Sequence, residues 1–483
     1  MSESIKLETV IGLEVHAQLK TRSKLFCSCS VDFGGGANTR GCPVCLGMPG
    51  TLPVLNKKAV ELAVRLALAV GAKVNTRSVF ARKNYFYPDL PKGYQISQYE
   101  EPISKGGFIE IDDNEITRKV SINRIHMEED AGKLVHDQHE TLSLFDVNRC
   151  GTPLIEIVSE PEIQNPRQAF LYLVKLRQIL KYLEICDGNM EEGSLRCDAN
   201  LSLRRVGEKK LGVKTELKNM NSFHNVEKAL EYEVKRQSDV INNGGHVVQE
   251  TLLWDVSRGK TNQMRTKEEA HDYRYFPEPD LLPLIVSDDW IREVAQSLPE
   301  LPERRQKRLC EEYGIPDYDS CIITAERETA DFYEDCVKFG ANPKKASNWI
   351  MGDILRLLNE EKLDTVKQIR IKPENLAELI KMQEAGTISG KIAKIVFEEM
   401  GNTGGNPHSI INQKGLLQIS DTSEIEVVID NIINDNKEQA ARFEAGAGKL
   451  MGFFVGEVMK ATQGKANPKI VNQILMVKLK KNQ

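Results

Sequence analysis

Long hydrophobic runs are missing from this chain of 483 residues, and no apolar stretch approaches the about 18 residues of a membrane span. The first residues also lack the apolar segment of a secretory signal peptide. We therefore expect a cytoplasmic protein that has no membrane partner. Because thiols stay reduced in that compartment, we interpret the ten cysteines as metal ligands or buried thiols rather than disulfides.

A large excess of charge is missing as well. The 65 basic and 70 acidic residues leave a net charge of −5, which argues against a protein that coats nucleic acid nonspecifically. The charge is uneven, because residues 446–483 contain seven Lys and one Glu but no Arg or Asp. This end therefore carries +6 and the remainder −11. Such an end is typical of an RNA contact, although a Lys-rich soluble helix end has the same composition.

Alternation of apolar and polar residues predicts strands that line a site. The stretches with this design are residues 10–19, 154–160, 194–204 and 213–219, and the pattern of 154–160 is mixed. Their polar residues include Glu14, His16, Glu156, Arg196, Asp198 and Glu216. Four strands that repeat acidic and basic side chains favour a lined cleft over the alternative, the solvated outer face of an antiparallel sheet.

Four cysteines form two close pairs, Cys27 with Cys29 and Cys42 with Cys45. The Cys-x-x-Cys pair lies between two glycines, as in the tight turns of tetrahedral zinc sites, whereas the Cys-x-Cys pair is less usual. We predict a structural zinc site, because four thiolates leave no open position for chemistry. The alternative is four unrelated reduced thiols.

Two further stretches have ambiguous chemistry. Aromatic residues and lysines interleave in residues 82–96, which suits nucleotide or RNA contact but equally suits aromatic packing under a loop. Three consecutive carboxylates, Glu128 to Asp130, follow a strand predicted over 115–127. A nearby cation or a solvated turn would explain them equally well.

Helical spacing dominates after about residue 289, while earlier helices are predicted at 56–70, 165–183 and about 221–244. Apolar stripes at Leu376, Leu379, Ile392 and Ile395 predict the core of a helix bundle. Residues 402–407 have the composition of a linker. The length and this change of pattern indicate more than one domain.

Long motifs then identify a family resemblance that covers essentially the whole chain. They lie at residues 10–16, 83–92, 126–132, 151–160, 190–200, 272–280, 451–460 and 464–468. All of them resemble the GatB family, the B subunits of the aspartyl/glutamyl-tRNA amidotransferase. The four-cysteine set occurs in only part of that family.

The resemblance implies an α+β fold in three parts. Residues 1–293 would form a catalytic cradle, a large and mainly antiparallel sheet domain related to glutamine synthetase and guanido kinases, with the zinc-binding insertion near 27–45. Residues 294–405 would form an all-α domain, and residues 406–483 a small YqeY-like helical tail that grips tRNA.

The resemblance also implies an activity shared with partners. A GatB protein would use ATP and Mg²⁺ to phosphorylate the side-chain carboxylate of misacylated Glu-tRNA(Gln) or Asp-tRNA(Asn). Ammonia channelled from a separate amidase subunit would then displace the phosphate, and a third, small subunit would complete the heterotrimer. The sequence does not distinguish between the two tRNAs.

Individual residues follow from the same resemblance. It implies that Glu14, His16, Glu129 and Glu156 bind magnesium. Lys83, Lys92 and Asp198 would form the polar end of the ammonia path and, together with Glu129, act in catalysis. Arg196 and Glu216 would lie near the same cleft.

Two other functions compete with this interpretation. A single-chain glutamine amidotransferase would use Cys150 as its nucleophile, but the spacing supplies no obvious His partner. A zinc-containing tRNA-binding module would lack catalysis altogether.

Overall fold

The computed structural model describes residues 6–114, 116–135, 143–264, 273–416, 422–444, 450–462, 466 and 468–480. The chain divides into two compact units, Met1–Leu301 and Pro302–Gln483. Among the described residues, the helices lack the combination of length and apolarity needed to cross a membrane.

In its described residues, the first unit combines a large sheet with four helices. Its strands are β1 (Leu7–Gln18), β2 (Lys73–Val74), β3 (Arg77–Ser78), β4 (Phe80–Asn84), β5 (Tyr94–Gln98), β6 (Ser104–Lys105), β7 (Phe108–Asp113), β8 (Ile116–Glu129), β9 (Lys133–Val135), β10 (Leu144–Asp146), β11 (Pro153–Ser159), β12 (Leu195–Arg205), β13 (Thr215–Lys218), β14 (Thr251–Asp255), β15 (Lys260–Gln263), β16 (Phe276–Pro277) and β17 (Leu284–Ile285). Its helices are α1 (Lys57–Ala69), α2 (Pro166–Tyr182), α3 (Phe223–Asn242) and α4 (Asp288–Gln296).

Ten of these strands form one sheet, in the order β15-β14-β13-β12-β1-β11-β8-β6-β2, with β7 also paired to β8. Every pairing in it is antiparallel except that of β13 with β14. The expectation of a large, mainly antiparallel sheet is therefore confirmed. Strands β1 and β12 are central, so the segments with the clearest alternation lie in the middle of the sheet.

The two faces of the sheet differ, as the alternation predicts. Residues such as Leu13, Val15 and Cys197 are buried in one core with the apolar sides of α1, α2 and α3. The opposite face of β1 and β12 is only partly buried, and it carries the polar residues. The helices thus cover one face and leave the charged face available for a site.

The helices predicted at 56–70, 165–183 and about 221–244 are confirmed as α1, α2 and α3. Asn56 accepts hydrogen bonds from the first turn of α1, and Asn165 does so for α2, which has Pro166 at its first position. Ser222 caps α3. The strand predicted over 115–127 is β8, and Glu115 lies outside the described residues.

The second unit is helical. Its helices are α5 (Pro302–Tyr313), α6 (Asp317–Ile323), α7 (Arg327–Lys338), α8 (Pro343–Trp349), α9 (Leu355–Glu361), α10 (Pro373–Glu384), α11 (Gly390–Thr403), α12 (Pro407–Lys414), α13 (Thr422–Asp435), α14 (Lys437–Glu444), α15 (Leu450–Ala461) and α16 (Pro468–Lys480). A π-helical turn, Ile350–Ile354, joins α8 to α9, and a 3₁₀ turn spans Val366–Gln368.

Within the part of the second unit that the structure describes, there are two separate hydrophobic cores. The first includes Leu376, Leu379 and Ile392 of the predicted stripes, and it extends to Ile410 and Ile411 of α12. The prediction is wrong for Ile395, which is exposed because the buried side of α11 runs through Ile392 and Val396. The second is built from α13 to α16 and centres on residues such as Phe454. The first core therefore continues past the segment 402–407 that the composition marks as a linker.

Candidate functional site

Strand register brings a charged cluster together on the polar face of the sheet. His16 of β1 lies opposite Glu156 of β11, and Glu156 lies opposite His126 of β8. Glu128 is two residues beyond His126, so its side chain points to the same face. We call these four residues the His–Glu cluster.

The distances within the His–Glu cluster are short. The Nε2 atom of His16 lies 3.5 Å from Oε1 of Glu128 and 3.4 Å from Oε2 of Glu156. The Nε2 atom of His126 lies 2.9 Å from Oε2 of Glu156. Each carboxylate thus contacts an imidazole, which reduces the cost of burying its charge.

The pKa values reflect these contacts. Burial opposes the charged form of His126, but Glu156 and Glu128 outweigh burial and raise the His126 pKa to about 9. Burial is likewise the largest influence on His16 and opposes its charge, but the hydrogen bond to Glu156 and the charges of Glu156 and Glu128 together raise its pKa. Against the same burial, His126 lowers the pKa of Glu156 well below its usual range. The carboxylates are therefore ionised, as metal binding requires, whereas His16 would have to give up a proton before it could bind a metal.

Three members of the cluster offer a metal site. One ligand atom each from His16, Glu128 and Glu156 lies within 4.8 Å of the other two. Two carboxylates and one imidazole fit a divalent cation, and Mg²⁺ favours oxygen ligands completed by water and substrate phosphates. The two carboxylates therefore suit Mg²⁺, whereas the imidazole is the less usual ligand for it.

The structure brings His16 and Glu156 together but places Glu129 on the other face of the sheet. Glu129 is adjacent to Glu128 in β8, and successive strand residues point in opposite directions. Its Oε1 atom forms an ion pair with Lys92 and accepts a hydrogen bond from the Ile96 amide at 2.9 Å. The place beside His16 expected for Glu129 is taken by Glu128.

Glu14 lies on the polar face near the cluster, two residues before His16. Its Oε1 atom accepts a hydrogen bond from Asn200 at 3.0 Å. Burial, and next the charge of Glu156, raise the pKa of Glu14. The carboxylate thus lies in a negative environment that a cation would relieve.

Asp198 and Glu216, also on this face, both pair with the ammonium group of Lys218. Lys218 places its Nζ 2.6 Å from Asp198 and 3.0 Å from Glu216. Arg196, the cross-strand partner of His16, instead holds the buried Asp130 at 2.8 Å. Acidic and basic side chains therefore lie beside one another along this face of the strands and form ion pairs.

Lys83, by contrast, lies among aromatic rings. Its Nζ is 4.8 Å from the ring centre of Tyr273 and 5.8 Å from that of Tyr85, within the range of cation–π attraction. Tyr273 begins the described part of the motif at 272–280, since Asp272 lies outside the described residues. Lys83, Lys92 and Asp198 therefore each contact different residues. Lys83 contacts tyrosine rings, Lys92 pairs with Glu129, and Asp198 pairs with Lys218.

The four predicted cysteine ligands converge. The Sγ atoms of Cys27, Cys29, Cys42 and Cys45 all lie within 4.8 Å of one another. Zinc at about 2.3 Å from each sulfur would separate tetrahedral ligands by about 3.8 Å, which fits this spacing. A hydrogen bond from Cys27 is the largest influence that lowers the Cys45 pKa, to about 4.

Known proteins resemble this chain over nearly all of its length. The profile described as "GatB/GatE catalytic domain" matches residues 9–292, and the profile "GatB domain" matches residues 331–479. This chain belongs to the GatB family. Full-length relatives include proteins of Thermodesulfovibrio yellowstonii, 57% identical over 99% of this chain and 100% of the relative, and Geobacter sulfurreducens, 55% identical over 98% and 99%. Both are named as the B subunit of the aspartyl/glutamyl-tRNA(Asn/Gln) amidotransferase.

Two cluster residues of this GatB chain, His126 and Glu128, are not among the metal ligands predicted from sequence. A signal is present, because both have the same parity in β8 and lie before the strand ends at Glu129. Only the pairing of β11 with both β1 and β8 shows that they meet His16. That long-range register is not encoded locally.

Cys150 does not have the environment of an activated nucleophile. Its side chain is buried, and burial raises the pKa of its thiol to about 12. Nucleophilic cysteines require a lowered pKa, usually from a neighbouring imidazolium or another cation. The structure therefore gives no support to a glutaminase centred on Cys150.

Proposed function

We propose that this GatB-family chain is the phosphorylating subunit of an ATP-dependent, tRNA-dependent amidotransferase that converts Glu-tRNA(Gln) or Asp-tRNA(Asn) to Gln-tRNA(Gln) or Asn-tRNA(Asn). Relatives named for this amidotransferase match over their full lengths at 52–57% identity. The observation that carries the proposal within the structure is the buried His–Glu cluster on the polar face of the sheet.

The first half-reaction is the transfer of phosphate from ATP to the side-chain carboxylate of the misacylated amino acid. Glu128, Glu156 and His16 would hold the magnesium ion, with Glu14 nearby. When bound, Mg²⁺ would neutralise charge that develops on the phosphoryl oxygens. His126 also contacts the Glu156 carboxylate, at the same oxygen as His16, and so helps to fix its orientation.

The second half-reaction is attack of ammonia on the acyl phosphate. The nucleophile must be neutral, so ammonium has to lose a proton on the way. The Lys92–Glu129 pair and the Asp198–Lys218 pair supply acid–base groups, while Lys83 lies among its tyrosines as a further polar group. We propose these three positions along the ammonia path.

The four cysteines would hold a structural Zn²⁺ ion. Their thiolates fill all tetrahedral positions, so the ion would stabilise the loop from residue 27 to 45 rather than take part in phosphoryl transfer. Because only part of the family has the set, the zinc site is separable from the amidotransferase activity.

The remaining assignments concern organisation. We propose a cradle related to glutamine synthetase and guanido kinases at 1–293, a helical domain at 294–405 and a tRNA-gripping, YqeY-like tail at 406–483. The first helix of that tail, α12, packs into the core of the helical domain. The partners would be an amidase, a small third protein of the heterotrimer and the misacylated tRNA, all in the cytoplasm. The separate core of α13 to α16 supports an independent tail.

The test is co-expression of this chain with the amidase and the small third protein, followed by amidation assays on both tRNAs. We expect amide formation that requires ATP, and ATP hydrolysis that requires misacylated tRNA. Tight tRNA binding without either reaction would instead identify a non-catalytic zinc-containing tRNA-binding module.

A further inference from the structure

A fully buried lysine lies against the four-cysteine cluster. The Lys24 side chain has no solvent exposure, and its Nζ lies 3.5 Å from Sγ of Cys45. It also donates to the carbonyl oxygens of Arg40 at 2.7 Å and Val147 at 3.3 Å. Three acceptors therefore match the three N–H groups of a charged ammonium.

Hydrogen bonding alone does not balance the charge of Lys24. Among the described residues, no carboxylate forms an ion pair with its Nζ. Glu129 and Asp280 line the same cavity as Lys24, but they hold Lys92 and Arg82. Burial of an ammonium group is costly unless a negative charge lies beside it.

The cysteine cluster is the anion that meets this requirement. Four thiolates around one divalent ion carry a net charge of −2, and Lys24 donates directly to one of those sulfurs. We propose that Lys24 is the charge-balancing residue of the four-cysteine centre, and that it raises the affinity of the centre for a zinc ion. This inference rests on the proposed zinc site and is independent of the amidotransferase reaction.

The arrangement also explains how one side chain organises the metal loop. Cys45 belongs to the second cysteine pair, and Arg40 belongs to the segment that joins the two pairs. Val147 lies outside the loop, beyond β10. The ammonium group therefore fixes three separate segments around the sulfur cluster, as supporting partners of metal ligands commonly do.

The experiment compares Lys24→Met with Lys20→Met in the assembled heterotrimer. Methionine keeps an unbranched apolar stem but removes the charge, while Lys20 is an exposed lysine that serves as the matched control. Zinc affinity is measured by competition with a chelator. Because loss of a supporting partner typically weakens metal binding about 10- to 100-fold, we expect that loss for Lys24→Met and none for Lys20→Met.

A second measurement separates charge balance from packing. Thermal unfolding of the wild-type and Lys24→Met complexes is recorded with zinc and after zinc removal under reducing conditions. Loss of a counter-charge predicts a lower melting temperature for Lys24→Met with zinc, and an equal or higher one without it. A packing role predicts the same decrease in both states and would overturn the proposal.

The outcomes are distinct. Unchanged zinc affinity in Lys24→Met overturns the role of Lys24 while leaving the zinc site intact. A wild-type complex that binds no zinc overturns the zinc site itself, and with it the role of Lys24. If Lys24→Met does not assemble, Lys24→Gln removes the same charge while keeping a donor for the carbonyl oxygens, and the same affinity loss is expected.

Discussion

Two adjacent carboxylates of β8 have different partners because strand residues alternate. Glu128 joins His16 and Glu156, whereas Glu129 pairs with Lys92 on the other face. Their contributions to the reaction should differ accordingly. Glu128 and Glu156 would support phosphoryl transfer, while Glu129 would act through Lys92.

We predict that Glu156→Gln and Glu128→Gln each lower amide formation from supplied ammonium by about 100-fold or more. Each change keeps the shape of the side chain but removes a charge that would hold the metal, and metal ions stabilise phosphoryl-transfer transition states by several kcal/mol. The measurement is amide formation from ammonium in the assembled complex, which bypasses the amidase.

The exposed Glu110 of β7 provides the control, because Glu110→Gln removes the same charge from a strand that contributes nothing to the cluster. Assembly with the partners and glutamine hydrolysis by the amidase should persist in all three variants. Near-normal amide formation in Glu156→Gln would refute the magnesium assignment.

A second prediction concerns Gly47, which follows the second cysteine pair. A β-carbon there would lie 2.2 Å from Cγ of Lys92, and the backbone φ of +66° already disfavours a side chain. Gly47→Ala should therefore displace the Lys92 stem and disturb the Lys92–Glu129 pair. We expect lower amide formation from ammonium together with a lower melting temperature.

Gly50→Ala is the matched control for backbone strain. Gly50 has φ of +85°, but a β-carbon there meets nothing within 4 Å. Left-handed strain alone costs about 1–2 kcal/mol, so stability should fall while amide formation is retained. Equal activities for the two variants would show that the contact with Lys92 has no functional role.

At the scale of elements, alternation predicts which strand faces are polar but not which strands are neighbours. The polar residues of β1 and β12 can be identified from sequence because each strand has one mainly apolar face. The pairing of β11 with β1 joins residues more than 130 positions apart in sequence. This long-range pairing is what places Glu128, rather than the predicted Glu129, beside His16.

The cysteine loop is easier to predict, because its ligands lie between residues 27 and 45 and converge locally. We expect one zinc ion per chain, measured by metal analysis under non-chelating conditions. Cys42→Ser should lower the zinc content and the melting temperature, since metal binding contributes to folding free energy. The exposed Cys321 supplies the control, and Cys321→Ser should change neither quantity.

At the scale of the whole molecule, the basic C-terminal end includes a lysine whose charge is already paired with carboxylates of another helix. Lys478 of α16 contacts Asp430 at 2.7 Å and Glu426 at 3.5 Å, both in α13. Lys460 of α15 is exposed instead. The lysines of this end should therefore contribute unequally to an RNA contact.

We predict that Lys460→Gln weakens tRNA binding and reduces its salt dependence, whereas Lys478→Gln changes both less. Each phosphate contact that is lost should lower the slope of log affinity against log salt by roughly 0.7–0.9. Binding would be measured in the assembled complex over a range of salt concentrations. If the two substitutions have equal effects, the exposure of a lysine does not determine whether it contacts tRNA.

Removal of the tail tests the same surface as a whole, and the structure fixes where the chain should be cut. Ile410, Ile411 and Leu416 pack into the first helical core, so a cut after Pro407 would damage that core, whereas a cut after Leu416 removes only the core of α13 to α16. The shortened chain should keep its assembly and support glutamine hydrolysis by the amidase. Its tRNA affinity should fall, and the remaining binding should depend less on salt, because the +6 end is gone. If affinity and salt slope are unchanged after this cut, tRNA is held by the first unit or by the partners, and the tail has another role.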